Sequence, residues 1–323
     1  MLLGHLGGTH GFARIELGIG DYSNLGVTVF FVVSGFLITR LLLAEHKRNG
    51  TIALNRFYLR RAIRLFPAAY TYIACIGLLS LWGILDVSLP NMWHAATYTV
   101  NHMQHPQWEI GHLWSLSLEE QFYLIWPLVF LAIGPPKAIW AALALIALGP
   151  IARTSGWLYE VLHGSTYHDY KMFPMLSDTL AMGCLLACLK DWLESKPLYL
   201  RLFHPAWSLT VLALVLAVNR YSYRAIVSVP GTLFISLGIA LLIHRSVYCP
   251  SDWIGKLLNN RILSFTGILS YSLYIWQQPF LNRYANYWAS AFPQNIIFTI
   301  AAALASYFLL EKPLLQMRRR LRS

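Results

Sequence analysis

Acidic residues are scarce in this chain. It holds 14 Asp and Glu in 323 residues, and all charged residues together make up 12%. An ordinary soluble domain carries about 25% charged residues, so the composition excludes one. Cysteine is scarce too, at four. Cys75, Cys184 and Cys188 fall in apolar runs and Cys249 in a loop, which excludes a disulfide framework. Cys184 and Cys188 share a helix face, but two soft ligands without partners do not make a metal site; small apolar packing is their reading. Residues 1–23 show no basic flank followed by an apolar core, so no signal peptide is read there. Internal repeats, low-complexity stretches and a separable soluble domain are also lacking.

Apolar residues are what the chain has in excess. They make up 57% of it, with a mean hydropathy of +0.50. Several runs reach the roughly 20 residues a helix needs to cross a bilayer. The expected fold class is therefore all-α, a polytopic membrane helix bundle forming one domain over residues 1–323. Nine spans are expected, at 24–43, 66–84, 114–133, 137–153, 174–192, 206–219, 226–245, 262–282 and 293–313. The segment 88–103 is apolar only in patches and holds His94, Asn101 and His102, so it reads as a short or interfacial helix. "MLLGHLGG" reads as the last turn of a further, truncated first span.

The net charge of +11 has two readings, nucleic acid or membrane orientation. The expected layout favours the second. It puts 19 of the 25 Lys and Arg on one side and 6 on the other, and the rich side is expected to be cytoplasmic. The C-terminus "MRRRLRS" then lies inside. Residues 6–23, 85–113, 154–172 and 283–292 lie outside. No nucleic-acid partner is expected.

Glu119 and Glu120 stand side by side in "HLWSLSLEEQFYLIWP". Adjacent residues diverge by about 100° on a helix, so the two cannot face one partner. Ser115, Glu119 and Tyr123 form one stripe at i, i+4 spacing. Glu119 lies about 7 Å inward from Trp114, near an interface. Spacing alone leaves it either an interfacial carboxylate paired with an Arg or backbone group, or a functional one.

Arg56, Arg60, Arg61 and Arg64 crowd the start of the second expected span. Guanidiniums offer forked, permanently charged donors that suit a polyphosphate. They equally suit a topology anchor on anionic lipid headgroups. Histidines gather on the expected outer side. His102, His105 and His112 could hold a metal only through a loop of undetermined shape, so metal is not expected. Ser34 and Gly35 read as close-packing residues. Asp178 either lines a cavity or pairs with a hydroxyl or an Arg. Glu311 reads as an end-of-helix ion pair or cap.

Five motifs occur in a fixed order: "GVTVFFVVSGFLITRLLL" (26–43), "RFYLRRAIRLFPAAY" (56–70), "HLWSLSLEEQFYLIWP" (112–127), "LSYSLYIWQQPF" (269–280) and "SYFLLEKPL" (306–314). Together they resemble the acyltransferase-3 family of integral membrane O-acyltransferases, over nearly the whole chain. The family has ten spans, matching the nine seen plus the truncated first. The resemblance implies transfer of an acyl group, acetyl above all, from cytoplasmic acyl-CoA to a hydroxyl of a glycan or lipid-linked acceptor at the cell envelope. It places the protein in a bacterial inner membrane, with acyl-CoA as a donor substrate and no permanently bound cofactor.

The resemblance also assigns residues. His5 in "LLGHLGG" matches the catalytic His of the first span, whose partner Arg would precede Met1. Arg61 and Arg64 match the family's Arg-x-x-Arg, with Arg60 beside them, and would hold the CoA phosphates. Glu119 matches the Glu of "WSLSxE" and would orient His5 or stabilise its charged form. Gln277 stands where a His often follows Trp276. Two other readings share these residues: a transporter or flippase for a lipid-linked or small anionic substrate, and a catalytically inactive family member that binds a partner. The first needs the buried ionisable groups equally, but the chain shows no paired-half symmetry.

Overall fold

A computed structural model describes residues 1–12, 22–163, 171–221, 225–285 and 287–320. The helices run α1 (Leu2–Leu6), α2 (Tyr22–Asn49), α3 (Leu54–Leu81), α4 (Leu89–Ala96), α5 (Trp108–Gly111), α6 (Leu113–Ile133), α7 (Pro135–His163) and α8 (Phe173–Glu194). They continue with α9 (Pro197–Arg201), α10 (Pro205–Tyr221), α11 (Ala225–Tyr248), α12 (Trp253–Leu258), α13 (Arg261–Phe280), α14 (Gln294–Ser306) and α15 (Lys312–Arg320). One π-helical turn, Tyr307–Glu311, joins the last two. No strand occurs among the described residues. In lipid, a helix satisfies its own backbone groups where an open strand cannot.

Seven helical segments are long and apolar enough to cross a membrane. They coincide with seven of the nine expected spans. The other two expected spans also fall on helices. The run at 206–219 lies in α10, apolar but short, with Pro205–Arg220 as its apolar stretch. The run at 262–282 lies in α13, whose Ser, Tyr and Gln residues lower its hydropathy; it buries Ser272, Gln277 and Gln278. The segment 88–103 forms α4 and a single 3-10 turn, Val100–His102. Large apolar side chains stand exposed along the long helices, among them Leu41, Leu78, Trp140, Ile151, Leu237 and Leu309. An integral membrane protein turns such side chains to lipid, whereas a soluble monomer rarely exposes so many.

The described residues group into two compact units. One comprises Met1, 16–52 and 119–260, and the other 2–15, 53–118 and 261–323. The division falls inside α6, between Leu118 and Glu119.

In the first unit, α8 packs against both α2 and α7. Glycine makes the α2 contact possible. A Cβ on Gly35 would lie 2.0 Å from the Leu180 carbonyl oxygen, and one on Gly183 2.0 Å from that of Val32. Cys184 packs into the same seam, its thiol 3.6 Å from the Gly35 carbonyl oxygen. Val32, Phe36, Leu186, Val215 and Ile239 fill the adjoining core. Trp126 of α6 donates its indole N–H to Thr39 of α2 at 2.9 Å.

In the second unit, Tyr72, Ile76, Val100, Ile110, Leu116 and Ile275 form the core. The short N-terminal segment is clipped to the region after α13. Phe292 N–H donates to the His10 carbonyl at 2.8 Å, and the Asn295 amide donates to Thr9 at 3.1 Å. Arg283 donates to the Gly4 carbonyl at 3.3 Å. These bonds fix the backbone on both sides of His5.

Candidate active site

His5 sits on α1 against aromatic surface. Its ring lies 5.7 Å from that of Trp108, tilted by 51°. The far partner of Trp108 is Arg283, whose guanidinium stands 5.3 Å from the indole centroid. Trp108 is itself held by its indole N–H, which donates to the Gln278 carbonyl at 2.8 Å. Next to it, Glu109 accepts a hydrogen bond from the Asn282 amide at 3.1 Å. His5 therefore stands beside an indole that is anchored to α13 and has a guanidinium against it.

His112 belongs to the same unit and lies near enough for its charge and that of His5 to interact. It is buried, at 4% exposure. Its Nε2 is 3.1 Å from the Ile275 carbonyl oxygen. The Tyr274 hydroxyl donates to its backbone carbonyl, and Tyr72 and Tyr274 set their rings against the imidazole. Nearby, burial and the Glu109 charge push the Tyr287 phenol up to about 12, so it stays protonated and donates to the Pro279 carbonyl.

The arginines occupy the first turns of α3. Arg60 and Arg61 are half-buried and Arg64 is exposed. They fit a phosphate-bearing ligand by donor type: three fixed cations within two helical turns. Arg64 has a carboxylate in its field, that of Glu311. Glu311 ends the π turn and is buried, accepting from Ser272 at 2.5 Å and Ser306 at 3.3 Å. Of the two sequence readings of Glu311, ion pair or cap, the structure favours the charge partner: a buried carboxylate bonded to two serines in the field of Arg64. Such π turns recur at functional positions.

Glu119 belongs to the other unit. It is buried at 3% exposure, while Glu120 is half-buried. Its carboxylate and the hydroxyls of Ser34 and Tyr123 form a three-way hydrogen-bonded group in which two hydroxyl protons serve three contacts. Tyr123 follows from the i, i+4 stripe. Ser34 does not: read as a packing residue, it is a ligand of Glu119, while its neighbour Gly35 does the packing. Asp178 pairs with Arg153, whose guanidinium forks onto both carboxylate oxygens at 3.0 and 2.6 Å. Among the described residues, no three of His, Cys, Asp and Glu converge to hold a metal ion.

Within the second unit the fold thus assembles two candidate groups, His5 with Trp108, Arg283 and His112, and Arg60, Arg61 and Arg64 with Glu311. Glu119 with Ser34 and Tyr123 makes a third group in the first unit. His112 escaped sequence reasoning, which took it only as one of several outer histidines. Its place directly before the "LWSLSLEE" run was the available signal.

A family profile described as an acyltransferase domain matches residues 2–311. A Staphylococcus aureus (strain COL) protein provisionally named an O-acetyltransferase is 31% identical over 319 residues, covering 90% of this chain and 52% of its own. The peptidoglycan O-acetyltransferase OatA of Listeria monocytogenes is 27% identical over 284 residues, covering 80% and 44%. A Bacillus subtilis protein provisionally named a peptidoglycan O-acetyltransferase is 31% identical over 324 residues, covering 90% and 50%. The chain spans about half the length of the curated relatives it matches. No solved structure matches it.

Proposed function

This chain belongs to the acyltransferase domain family, matched over residues 2–311, and from that premise we propose that it is a membrane O-acetyltransferase. The acyl group comes from acetyl-CoA on the cytoplasmic side of a bacterial inner membrane. The acceptor is a hydroxyl of an envelope glycan, and peptidoglycan is the first candidate because relatives are named for it. The observation that carries this reading is the family match over nearly the whole chain.

The chemistry asks little of the protein beyond placement. A thioester is already activated, so transfer needs a base for the hydroxyl and stabilisation of the negative charge building on the acyl oxygen. The hydroxyl oxygen bonds to the acyl carbon as the carbon–sulfur bond breaks. His5 takes the hydroxyl proton and returns it to the departing thiolate. Arg61 and Arg64, with Arg60, hold the phosphates of the donor by forked, charge-assisted bonds. Glu119 serves the same reaction as a carboxylate held by hydrogen bonds with Ser34 and Tyr123.

The test is glycan mass spectrometry of a deletion strain complemented with wild type, His5→Ala, Glu119→Gln or both. Acetyl mass should vanish on deletion and return with wild type only. Removing the base should cost about 10²–10⁴-fold in rate. The double variant should be little worse than His5→Ala, because losses within one reaction are not additive once the base is gone. Full acetylation with His5→Ala sinks the mechanism.

A further inference from the structure

His112 carries a hydrogen-bonding atom that the fold leaves unused. Its Nε2 faces the Ile275 carbonyl at 3.1 Å. A carbonyl can only accept, so Nε2 bears the proton of the neutral imidazole and Nδ1 holds a bare lone pair. That Nδ1 is buried and has no hydrogen-bond partner among the described residues. Two aromatic rings pack against the imidazole. Tyr72 sets its ring at 5.5 Å and 87°, and Tyr274 at 5.2 Å and 64°. Buried polar atoms are nearly always paired, so an orphan packed in this way points to an unseen partner.

A second orphan lies close by. Trp276 has its indole N–H buried without a partner among the described residues. The same Tyr72 ring that abuts His112 also meets Trp276, at 5.4 Å and 89°. One lone pair and one N–H donor are thus gathered around Tyr72, in an aromatic setting and in the electrostatic field of His5. Aromatic walls with a few fixed polar groups are how proteins grip small polar ligands such as sugars.

Building on the acyl-transfer reading, we propose that His112 touches the acceptor: its Nδ1 accepts a hydrogen bond from a non-reacting hydroxyl or amide N–H of the acceptor sugar, and so aims the reacting hydroxyl at His5. The reacting hydroxyl has a single proton, which His5 takes. His112 therefore engages a neighbouring group and sets which hydroxyl is acylated. Trp276 supplies the complementary donor to a sugar oxygen.

Two variants separate this role from simple tethering. Gln at 112 keeps a donor for the Ile275 carbonyl and loses the acceptor at the Nδ1 position. Asn keeps an acceptor there and loses the tether. Purified protein is assayed with acetyl-CoA and a soluble peptidoglycan disaccharide, and the acetylated position is read by fragmentation mass spectrometry. His112→Gln should raise KM for the disaccharide about ten- to a hundredfold, leave KM for acetyl-CoA unchanged and scatter the acetylated position. His112→Asn should recover most of the loss. Wild-type kinetics in His112→Gln, a shift confined to acetyl-CoA, or equal loss in both variants would overturn the proposal.

A measurement on the unaltered protein covers the case of a variant that fails to fold. Disaccharides with each non-reacting hydroxyl replaced in turn by hydrogen, and each amide N–H replaced by N-methyl, should include one that loses the same factor; equal turnover of all of them overturns the proposal. His5→Ala run beside them keeps the two ideas apart. If it retains full activity, or wild type fails to acetylate the disaccharide, the acyl-transfer reading falls. If His5→Ala is inactive while His112→Gln behaves as wild type, only the role of His112 falls.

Discussion

Gly35 and Gly183 face each other across α2 and α8, each resting on the other helix's backbone. A methyl group on either would stand 2.0 Å from a carbonyl oxygen of the facing helix. Neither backbone can yield without moving a whole helix. Overpacking of this kind costs about 1–3 kcal/mol. Gly35→Ala and Gly183→Ala should each lower the melting temperature of the detergent-solubilised protein by several degrees. Gly267, also helical, has nothing within 4 Å of its missing Cβ. Gly267→Ala should hold or raise the melting temperature, since Ala favours helix over Gly by about 1 kcal/mol. Equal behaviour of all three would remove the close-packing account.

The Gly35 seam also sets the position of Ser34, and with it the surroundings of Glu119. A hydrogen bond to a charged group contributes about 1.5–3 kcal/mol. Ser34→Ala and Tyr123→Phe should each destabilise the protein on that scale and slow acetyl transfer. Their effects should not add, because all three groups bond one another and neighbours in one network couple. Glu120→Gln should leave rate and melting temperature near wild type. Additive losses, or an equal loss at Glu120, would show that Glu119 has no special standing.

Arg153 and Asp178 form a buried, forked ion pair at 6% and 0% exposure. Breaking such a pair from one side strands a charge and costs about 3–5 kcal/mol, whereas replacing both partners with apolar residues is often neutral. Arg153→Met should therefore be severely destabilising and Arg153→Met with Asp178→Leu much less so. Chemical-denaturation midpoints in detergent test this. A double variant worse than the single would give the pair a role beyond neutralising itself.

Glu311 offers a prediction on donor binding. Its carboxylate is fixed by Ser272 and Ser306 and acts on Arg64. Glu311→Gln keeps the shape and removes the charge that acts on Arg64. KM for acetyl-CoA should rise by about tenfold, the scale of one charge-assisted contact, with Arg64→Ala producing a loss that Glu311→Gln does not deepen. A fall in melting temperature with KM unchanged would leave Glu311 a purely structural residue.

The long helices were legible because lipid imposes one simple rule on them, about 20 apolar residues in a row. Helical phase separates Glu119 from Glu120 and puts Tyr123 on its stripe, while the choice of Glu119 comes from the family resemblance. α13 shows where that rule thins: its Ser272, Gln277 and Gln278 are buried against protein, so hydropathy underrates it. What stayed hidden depends on distant partners. Nothing in "VVSGF" says that Ser34 meets a carboxylate 85 residues on. Asp178 was read as either a cavity residue or half of a pair, and only the fold supplies Arg153. The orphan lone pair of His112 follows from the direction of one carbonyl, which no spacing encodes.

The π turn at Tyr307–Glu311 makes this part of the chain sensitive to residue counting. A π turn closes its hydrogen bond one residue later than an α turn, so it absorbs one extra residue and rotates everything beyond it by about 100°. The face that α14 presents and the face of Lys312–Arg320 are therefore out of phase by one residue. A single deletion within 307–310 would let the helix relax to regular α geometry. The residues just beyond, Glu311 included, would keep the headings they have, because the turn's extra residue is the one removed. A deletion inside α14 has no such slack and would turn Glu311 away from Ser272 by about 100°.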